Sequence, residues 1–341
     1  MNLKLNKRSE ASQVIAFRHH GVAALVDNIV VGLRDKKCDV MVVQGAEDLD
    51  RQTIDYASVG ALVVSTGIRC SRSFLELFPN LAGVIFVAIG TESIDLHDAA
   101  ELNLVVAHGA TSENWDSMAE ATVLLMLALL YDLRHVETLL ADNAPRPTDP
   151  PGRMLKGKTV GLVGFGRIAH SIASRLDGWG VDILVCSPSA ADSNLPRSCR
   201  ACGLDELLRH SDVVSLHAAV TDQTRGMIGQ RELALMKPSS FLVNTARGAL
   251  VDEPALVEAL RNGRIKGAAL DTFAREPLDV ASPLRQFSNV ILTPHLIGHT
   301  QEAIGSLVEA CVENTLRVIE GRTPLIVKNP QQLQAWLAAR R

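Results

Sequence analysis

Thr159-Val-Gly161-Leu-Val163-Gly164-Phe-Gly166-Arg-Ile-Ala169 is the stretch that decides the fold. The apolar run Val160–Val163 predicts a strand that passes through Gly164-Phe-Gly166 into a helix whose apolar face is Ile168, Ile172 and Leu176. A glycine turn between strand and helix is the fingerprint of a dinucleotide-binding unit. Gly164 permits the tight turn, and Gly166 lets backbone N–H groups approach a pyrophosphate. Ala169 stands for the third glycine, where helix packs on strand and a methyl is tolerated. The helix N-terminus adds unpaired N–H groups and partial positive charge, which favour an anion by ~0.3–1 kcal/mol at an exposed site.

Outward from this motif the alternation of short apolar runs and helical spacing continues. Val181–Val185, Asp212–Leu216, Phe241–Asn244, Gly267–Leu270 and Val290–Leu292 read as further strands, followed by an amphipathic helix Ala303–Ile319 and a tail. An earlier series of the same kind occupies the first third: Val14–Phe17, Val40–Val43, Ala61–Val64, Val84–Val87 and Leu104–Val106. The predicted fold class is therefore α/β, with two doubly wound parallel sheets covered on both faces. Between the series, one apolar helix over Ser117–Leu140 has apolar residues all round its axis. It is expected to be buried on several sides, in part by a second subunit of a homodimer. Residues 141–153, with four prolines, suit an extended surface connection.

Composition excludes several classes. The 341 residues are 47% apolar and 21% charged, a balance that folds and fills about two domains. Thirty-four Lys and Arg against 38 Asp and Glu leave a net charge of −4, with no basic excess to draw nucleic acid. The longest apolar run, Val123–Leu130, falls short of the ~20 residues of a membrane span. The N-terminal MNLKLNKRSE lacks the apolar core of a secretory signal, so the cytoplasm is the expected compartment. Six scattered cysteines make no disulfide scaffold; Cys199 and Cys202 have C-x-x-C spacing but sit in a polar stretch read as a loop, and no metal site is expected. Met126 and Trp179 are assigned to the core.

In open α/β sheets ligands gather at the carboxyl ends of the strands, so the polar residues that follow each run are the candidates. They are His217, then Thr245, Ala246 and Arg247, then Asp271 with Glu276 beyond it, then Thr293 and His295. A guanidinium, a carboxylate and an imidazole at one rim suit hydride chemistry on a 2-oxo acid. Arg247 offers paired donors to a carboxylate and to a carbonyl oxygen that gains negative charge. His295 can protonate that oxygen, with Glu276 holding the ring and favouring its charged form. Asp271 can orient a nicotinamide carboxamide. Taken singly, each is more often structural than catalytic, Arg247 as a surface ion-pair residue, Glu276 as a loop acid and His295 as a satisfied histidine; their joint placement after successive strands sets them apart. His217 has two readings, cofactor contact or packing. The strand that ends Val185-Cys186-Ser187-Pro188 lacks the acid that usually holds a ribose 2′-hydroxyl, which predicts relaxed or NADP-leaning use of NAD(P), with Arg197 or Arg200 reaching the 2′-phosphate.

At these residues the sequence resembles the D-2-hydroxyacid dehydrogenase family, which includes phosphoglycerate dehydrogenase and the glyoxylate and hydroxypyruvate reductases. The likeness covers nearly the whole chain and is carried by Asn114-Trp-Asp-Ser-Met-Ala-Glu120, Gly164–Ala169, Met236-Lys-Pro238, Phe241–Asp252, Ala269-Leu-Asp-Thr-Phe-Ala-Arg-Glu-Pro277 and Leu292-Thr-Pro-His295. It implies catalytic Arg247, Glu276 and His295, the last as proton donor. It also implies cofactor contacts at Arg167, Ile168, Ser187, Thr245, Ala246 and Asp271, and substrate carboxylate contacts from the backbone of Ile89 and Gly90. The implied architecture is a flavodoxin-like substrate domain of residues 1–107 and 299–341 with a Rossmann domain, 108–298, inserted in it and the active site in the cleft between. Three positions depart from the family pattern: Ser187, the loop Ala88–Asp95, and His299 where a small residue is usual. Arg69 is displaced from the place of the arginine in phosphoglycerate dehydrogenases, which disfavours a phosphorylated substrate, and Glu276 stands where the formate branch has glutamine. The expected activity is reduction of a small 2-oxo acid such as glyoxylate or hydroxypyruvate. The alternatives are an NADH-sensing corepressor and a phosphite-oxidising enzyme.

Overall fold

Strands of β-branched and aliphatic residues bury both faces only when helices cover the sheet on each side. The computed structural model of the chain describes residues 12–49, 54–188 and 195–340; the polar N-terminus lies outside these, as does part of the loop before Cys199. The first elements are β1 (Gln13–Phe17), α1 (Ala23–Asp35), β2 (Val40–Val43), β3 (Val59–Val64), α2 (Arg72–Leu75), β4 (Gly83–Phe86), α3 (Leu96–Glu101) and β5 (Val105–His108). Two helices follow, α4 (Ser112–Leu130) and α5 (Leu133–Ala141). Then come β6 (Thr159–Val163), α6 (Arg167–Leu176), β7 (Asp182–Cys186), β8 (Cys199–Ala201), α7 (Leu204–His210) and β9 (Val213–Leu216). The last are α8 (Gln230–Leu235), β10 (Phe241–Asn244), α9 (Glu253–Arg261), β11 (Gly267–Leu270), β12 (Val290–Leu292), α10 (Gln301–Ile319) and α11 (Leu333–Ala338).

The chain divides into two units, one up to Asn114 and from Thr300 onward, the other Trp115–His299. The first holds a five-stranded parallel sheet in the order β2-β1-β3-β4-β5. Helix α10 returns to this sheet, and its Cys311 and Val312 join Ile29, Leu33 and Val63 in one core. The tail is more than a tail. Trp336 of α11 is fully buried and its indole donates to Ala82 O at 2.7 Å.

The second unit is a seven-stranded parallel sheet in the order β12-β11-β10-β9-β6-β7-β8. The chain enters at β6, runs to one edge, and returns on the other side through β9, so the topological switch lies between β6 and β9. Three expectations are corrected here. Cys199–Ala201 is an edge strand paired with β7 in the register Ile183↔Cys199, not a loop; three edge residues, none of them buried, carry no apolar signature. Helix 117–140 is two helices, broken where Asp132 turns left-handed (φ 52°), and none of the residues of α5 is buried. Trp179 is 44% exposed rather than in the core, because it rides on a turn between Gly178 and Gly180, both at positive φ. Met126 is fully buried.

Candidate active site

The glycine turn after β6 sits at the switch point. Gly164 has φ +91°, and a Cβ there would lie 2.6 Å from His217 C and Ala218 N of the segment that follows β9, so only glycine fits. Its N–H donates to Cys186 O at 2.8 Å, tying the turn to the end of β7. Gly166 caps α6, and the position its Cβ would take has no neighbour within 4 Å among the described residues, which leaves the helix N-terminus open to an approaching group. Ala169 is fully buried and Ile168 packs against the same core, so one face of α6 is seated on the sheet. The Arg167 guanidinium lies over the Trp115 ring, 4.9 Å from its centroid, beside this N-terminus. A concavity of about 550 Å³ opens along the exposed face of α6 at the same place.

His217 leaves β9 with Nε2 2.9 Å from Ser215 Oγ, and desolvation pushes its imidazole down to about 4, so the ring is neutral at pH 7. Ser187 follows β7, half-buried. Of the two arginines expected near it, Arg200 is engaged with Glu206 at 2.8 Å, whereas Arg197 is exposed.

The end of β10 is organised by a residue the sequence reading passed over. Asn244 is 1% exposed; its Oδ1 accepts the Ala246 N–H at 3.1 Å and its Nδ2 donates to Arg247 O at 2.9 Å. Thr245 is 5% exposed and shares a 3.0 Å hydroxyl contact with Thr122 of α4. Gly248, one residue beyond Arg247, has no room for a Cβ, which would fall 1.9 Å from Phe273 C. The turn after β10 is thus pressed backbone to backbone on the loop after β11. That contact is why Arg247 and Glu276, far apart in sequence, act on one another.

Glu276 accepts the Phe273 N–H on Oε1 at 3.0 Å and meets His295 Nδ1 with Oε2 at 2.8 Å. Burial pushes its carboxyl up, but the hydrogen bonds from His295 and Phe273 and the charges of His295 and Arg247 outweigh this and hold it below the usual carboxylate range. His295 stands in the left-handed region at φ 56°. Asp271, fully buried, secures that conformation from both sides: its Oδ1 accepts the Thr293 hydroxyl at 2.6 Å and the Leu296 and Ile297 N–H groups at 3.0 and 3.2 Å. Its other oxygen, Oδ2, is buried with no hydrogen-bond partner among the described residues. A buried carboxylate oxygen left so is costly unless a donor reaches it, and a primary amide is a donor of the right kind. The open helix N-terminus, the glycine turn at the switch point and this waiting acceptor together fit a nicotinamide dinucleotide.

The second unit therefore gathers Gly164, Gly166, Arg167, Ile168, Ser187, His217, Thr245, Ala246, Arg247, Asp271, Glu276 and His295 at the carboxyl ends of its strands. Ile89 and Gly90 belong to the first unit, in the loop after β4, Ile89 exposed and Gly90 buried. The residues missed were Asn244, Gly248 and Thr122. A polar residue ending an apolar run was the available signal for Asn244; the other two depend on contacts between distant segments.

The family model described as the NAD-binding domain of D-isomer-specific 2-hydroxyacid dehydrogenases matches residues 123–296. A glyoxylate reductase of Thermofilum pendens is 34% identical over 310 residues, 87% of this chain and 90% of its own. An (S)-sulfolactate dehydrogenase of Chromohalobacter salexigens is 35% identical over 303 residues, 87% and 97% of the two chains. Among solved structures, an NADPH-dependent glyoxylate/hydroxypyruvate reductase of Sinorhizobium meliloti, bound to NADP and malonate, superposes with a TM-score of 0.79 at 25% identity, covering 94% of this chain and 97% of that one. The chain belongs to the D-2-hydroxyacid dehydrogenases. It is an NAD(P)-dependent oxidoreductase of 2-hydroxy acids, and these relatives do not favour a corepressor or a phosphite-oxidising enzyme.

Proposed function

We propose that the protein reduces a small 2-oxo acid of the glyoxylate or hydroxypyruvate type, with Arg247, Glu276 and His295 as its catalytic residues. The observation that carries this is the 2.8 Å contact between His295 Nδ1 and Glu276 Oε2, within reach of the Arg247 charge. Because Glu276 is held in its ionised form, it accepts Nδ1–H and leaves Nε2 as the ring atom that passes a proton. Arg247 binds the substrate carboxylate and stabilises the carbonyl oxygen as negative charge grows there; His295 protonates that oxygen, a contribution of roughly 10²–10⁴ in rate. When bound, the reduced nicotinamide supplies the hydride to the carbonyl carbon. Gly164, Gly166, Arg167, Ile168, Ser187, His217, Thr245 and Ala246 hold the cofactor, Asp271 Oδ2 takes its carboxamide, and the backbone of Ile89 and Gly90 contributes to the substrate carboxylate. Ser187 supports acceptance of NADP, with exposed Arg197 rather than Glu206-bound Arg200 as its 2′-phosphate partner. Six cysteines, none of them in a disulfide, suit a reducing compartment such as the cytoplasm.

The test is His295→Gln. Turnover of glyoxylate should fall at least ~100-fold while the dissociation constant for the reduced cofactor, read by its fluorescence, stays within about threefold. Ordinary turnover in that variant would remove His295 from the mechanism.

A further inference from the structure

Cysteine spacing along the chain and cysteine spacing in the sheet give different pairs. Cys199 and Cys202 are three residues apart on one extended segment, so their side chains leave it on opposite sides. Cys199 packs against the core that holds Ile183 and Val185, and Cys202 against the one that holds Leu184 and Leu207. The C-x-x-C motif is therefore not the pair that meets. The register of β7 with β8 supplies another. It runs Ile183↔Cys199, Leu184↔Arg200, Val185↔Ala201, and the Cys202 N–H continues the ladder to Val185 O at 2.9 Å. The next position sets Cys186 opposite Cys202, and both pack against the same core. Neighbouring strands stand ~4.8 Å apart, within the ~4.4–6.8 Å between α-carbons that a disulfide spans. Both thiols are partly exposed, so a small oxidant reaches them.

We propose that Cys186 and Cys202 are a redox modification site, which a peroxide closes to a disulfide that weakens cofactor binding. The effect on binding rests on the placement of the cofactor given above. The Cys202 thiolate attacks one peroxide oxygen; the O–O bond breaks, leaving a sulfenic acid, and the hydroxide released takes the thiol proton to become water. The Cys186 sulfur then attacks that of Cys202, the S–S bond forms as the S–O bond breaks, and a second water leaves. Both thiols are oxidised and the peroxide is reduced to water. Burial raises both thiols; on Cys202 Glu206 adds to this, Arg200 opposes it, and Cys186 lies close enough to push the same way as Glu206. Little thiolate is present at pH 7, so closure is slow and answers sustained oxidant. Closure also moves the strand ends. The β-carbons of a disulfide come to ~3.8 Å, closer than neighbouring strands stand, so the ends of β7 and β8 are drawn together. At the end of β7, Cys186 O holds the Gly164 N–H at 2.8 Å, and Ser187 follows directly. The glycine turn and the ribose position shift with the bond.

The experiment incubates the native protein with hydrogen peroxide for hours, blocks the remaining thiols and digests it with trypsin in the absence of reductant. Cleavage after Arg197 and Arg200 puts Cys186, Cys199 and Cys202 on separate peptides, so the partner of Cys186 is read by mass. A Cys186–Cys202 link that dithiothreitol removes is the expected result. With it the dissociation constant for NADPH, read by cofactor fluorescence, should rise at least ~10-fold and recover on reduction. Cys186→Ser and Cys202→Ser should each bind NADPH as well after peroxide as before it, whereas Cys199→Ser should respond like wild type. No link, or a link from Cys186 to Cys199, would overturn the pairing; a Cys186–Cys202 link that leaves NADPH binding unmoved would overturn its effect. A reduced wild type that binds neither NADPH nor NADH would instead overturn the placement of the cofactor, and the peptide mass would still decide the pairing.

Discussion

Two ionisable side chains at strand ends behave oppositely because their surroundings differ. Glu276 keeps its charge because an imidazole, a backbone N–H and a guanidinium outweigh its burial; His217, with a hydroxyl as its side-chain partner, loses its charge to desolvation. His217 also sets a stability trend. The unfolded chain takes up a proton near pH 6.5, whereas the folded one does so only near pH 4, so stability falls as pH drops through that window and levels off below it. In His217→Gln the slope of melting temperature against pH over this range should flatten; an unchanged slope would mean that His217 does not set the trend. In the proposed function Ser187 is the residue that faces the ribose. Ser187→Asp should raise the NAD over NADP preference by at least ~10-fold, since a carboxylate repels a 2′-phosphate and binds a 2′-hydroxyl, and an unmoved ratio would mean that another residue reads the ribose.

Elements bring these residues together through close backbone approach. Gly248 touches the Phe273 backbone where a methyl would overlap it, whereas Gly166 faces open space. The two glycines should therefore respond differently to alanine. Gly248→Ala should lower the melting temperature by roughly 6–12 °C, the equivalent of about 3 kcal/mol in a unit of this size, and carry activity down with it. Gly166→Ala should leave melting within a degree or two but, in the proposed site, weaken cofactor binding at least ~10-fold, because its methyl would stand where a pyrophosphate approaches. Calorimetry and fluorescence titration on the pair separate the roles; equal melting temperatures would refute the packing account. Long alternating elements such as β6–α6 were legible in the sequence, as were the strand ends that carry Arg247, Asp271 and His295. Strand β8 and helix α11 were not, since three edge residues and a six-residue helix have too little periodicity to register, and Trp336 finds its place only through Ala82, 254 positions away.

At the scale of the molecule the exposed apolar surface asks for cover. Leu124 of α4, Tyr131 at the helix break and Leu133, Val136 and Leu140 of α5 are all exposed, Leu140 by 82%. We infer that this face joins two copies of the chain, as apolar surface of this extent on consecutive elements is seldom left to water. Light scattering should give twice the chain mass, and Val136→Asp with Leu140→Asp should halve it with the circular dichroism unchanged. A monomeric wild type would sink the idea.

The order of apolar runs, the glycine turn and the polar residues that end each strand were set by local chain properties: periodicity, backbone freedom and hydropathy act over a few neighbours and can be read along a line. The tertiary structure alone decided which of those residues meet. That His295 reaches Glu276, that Asn244 holds the Arg247 turn and that Asp271 keeps one oxygen unspent all depend on excluded volume and hydrogen bonding between segments distant in sequence, for which no local pattern exists.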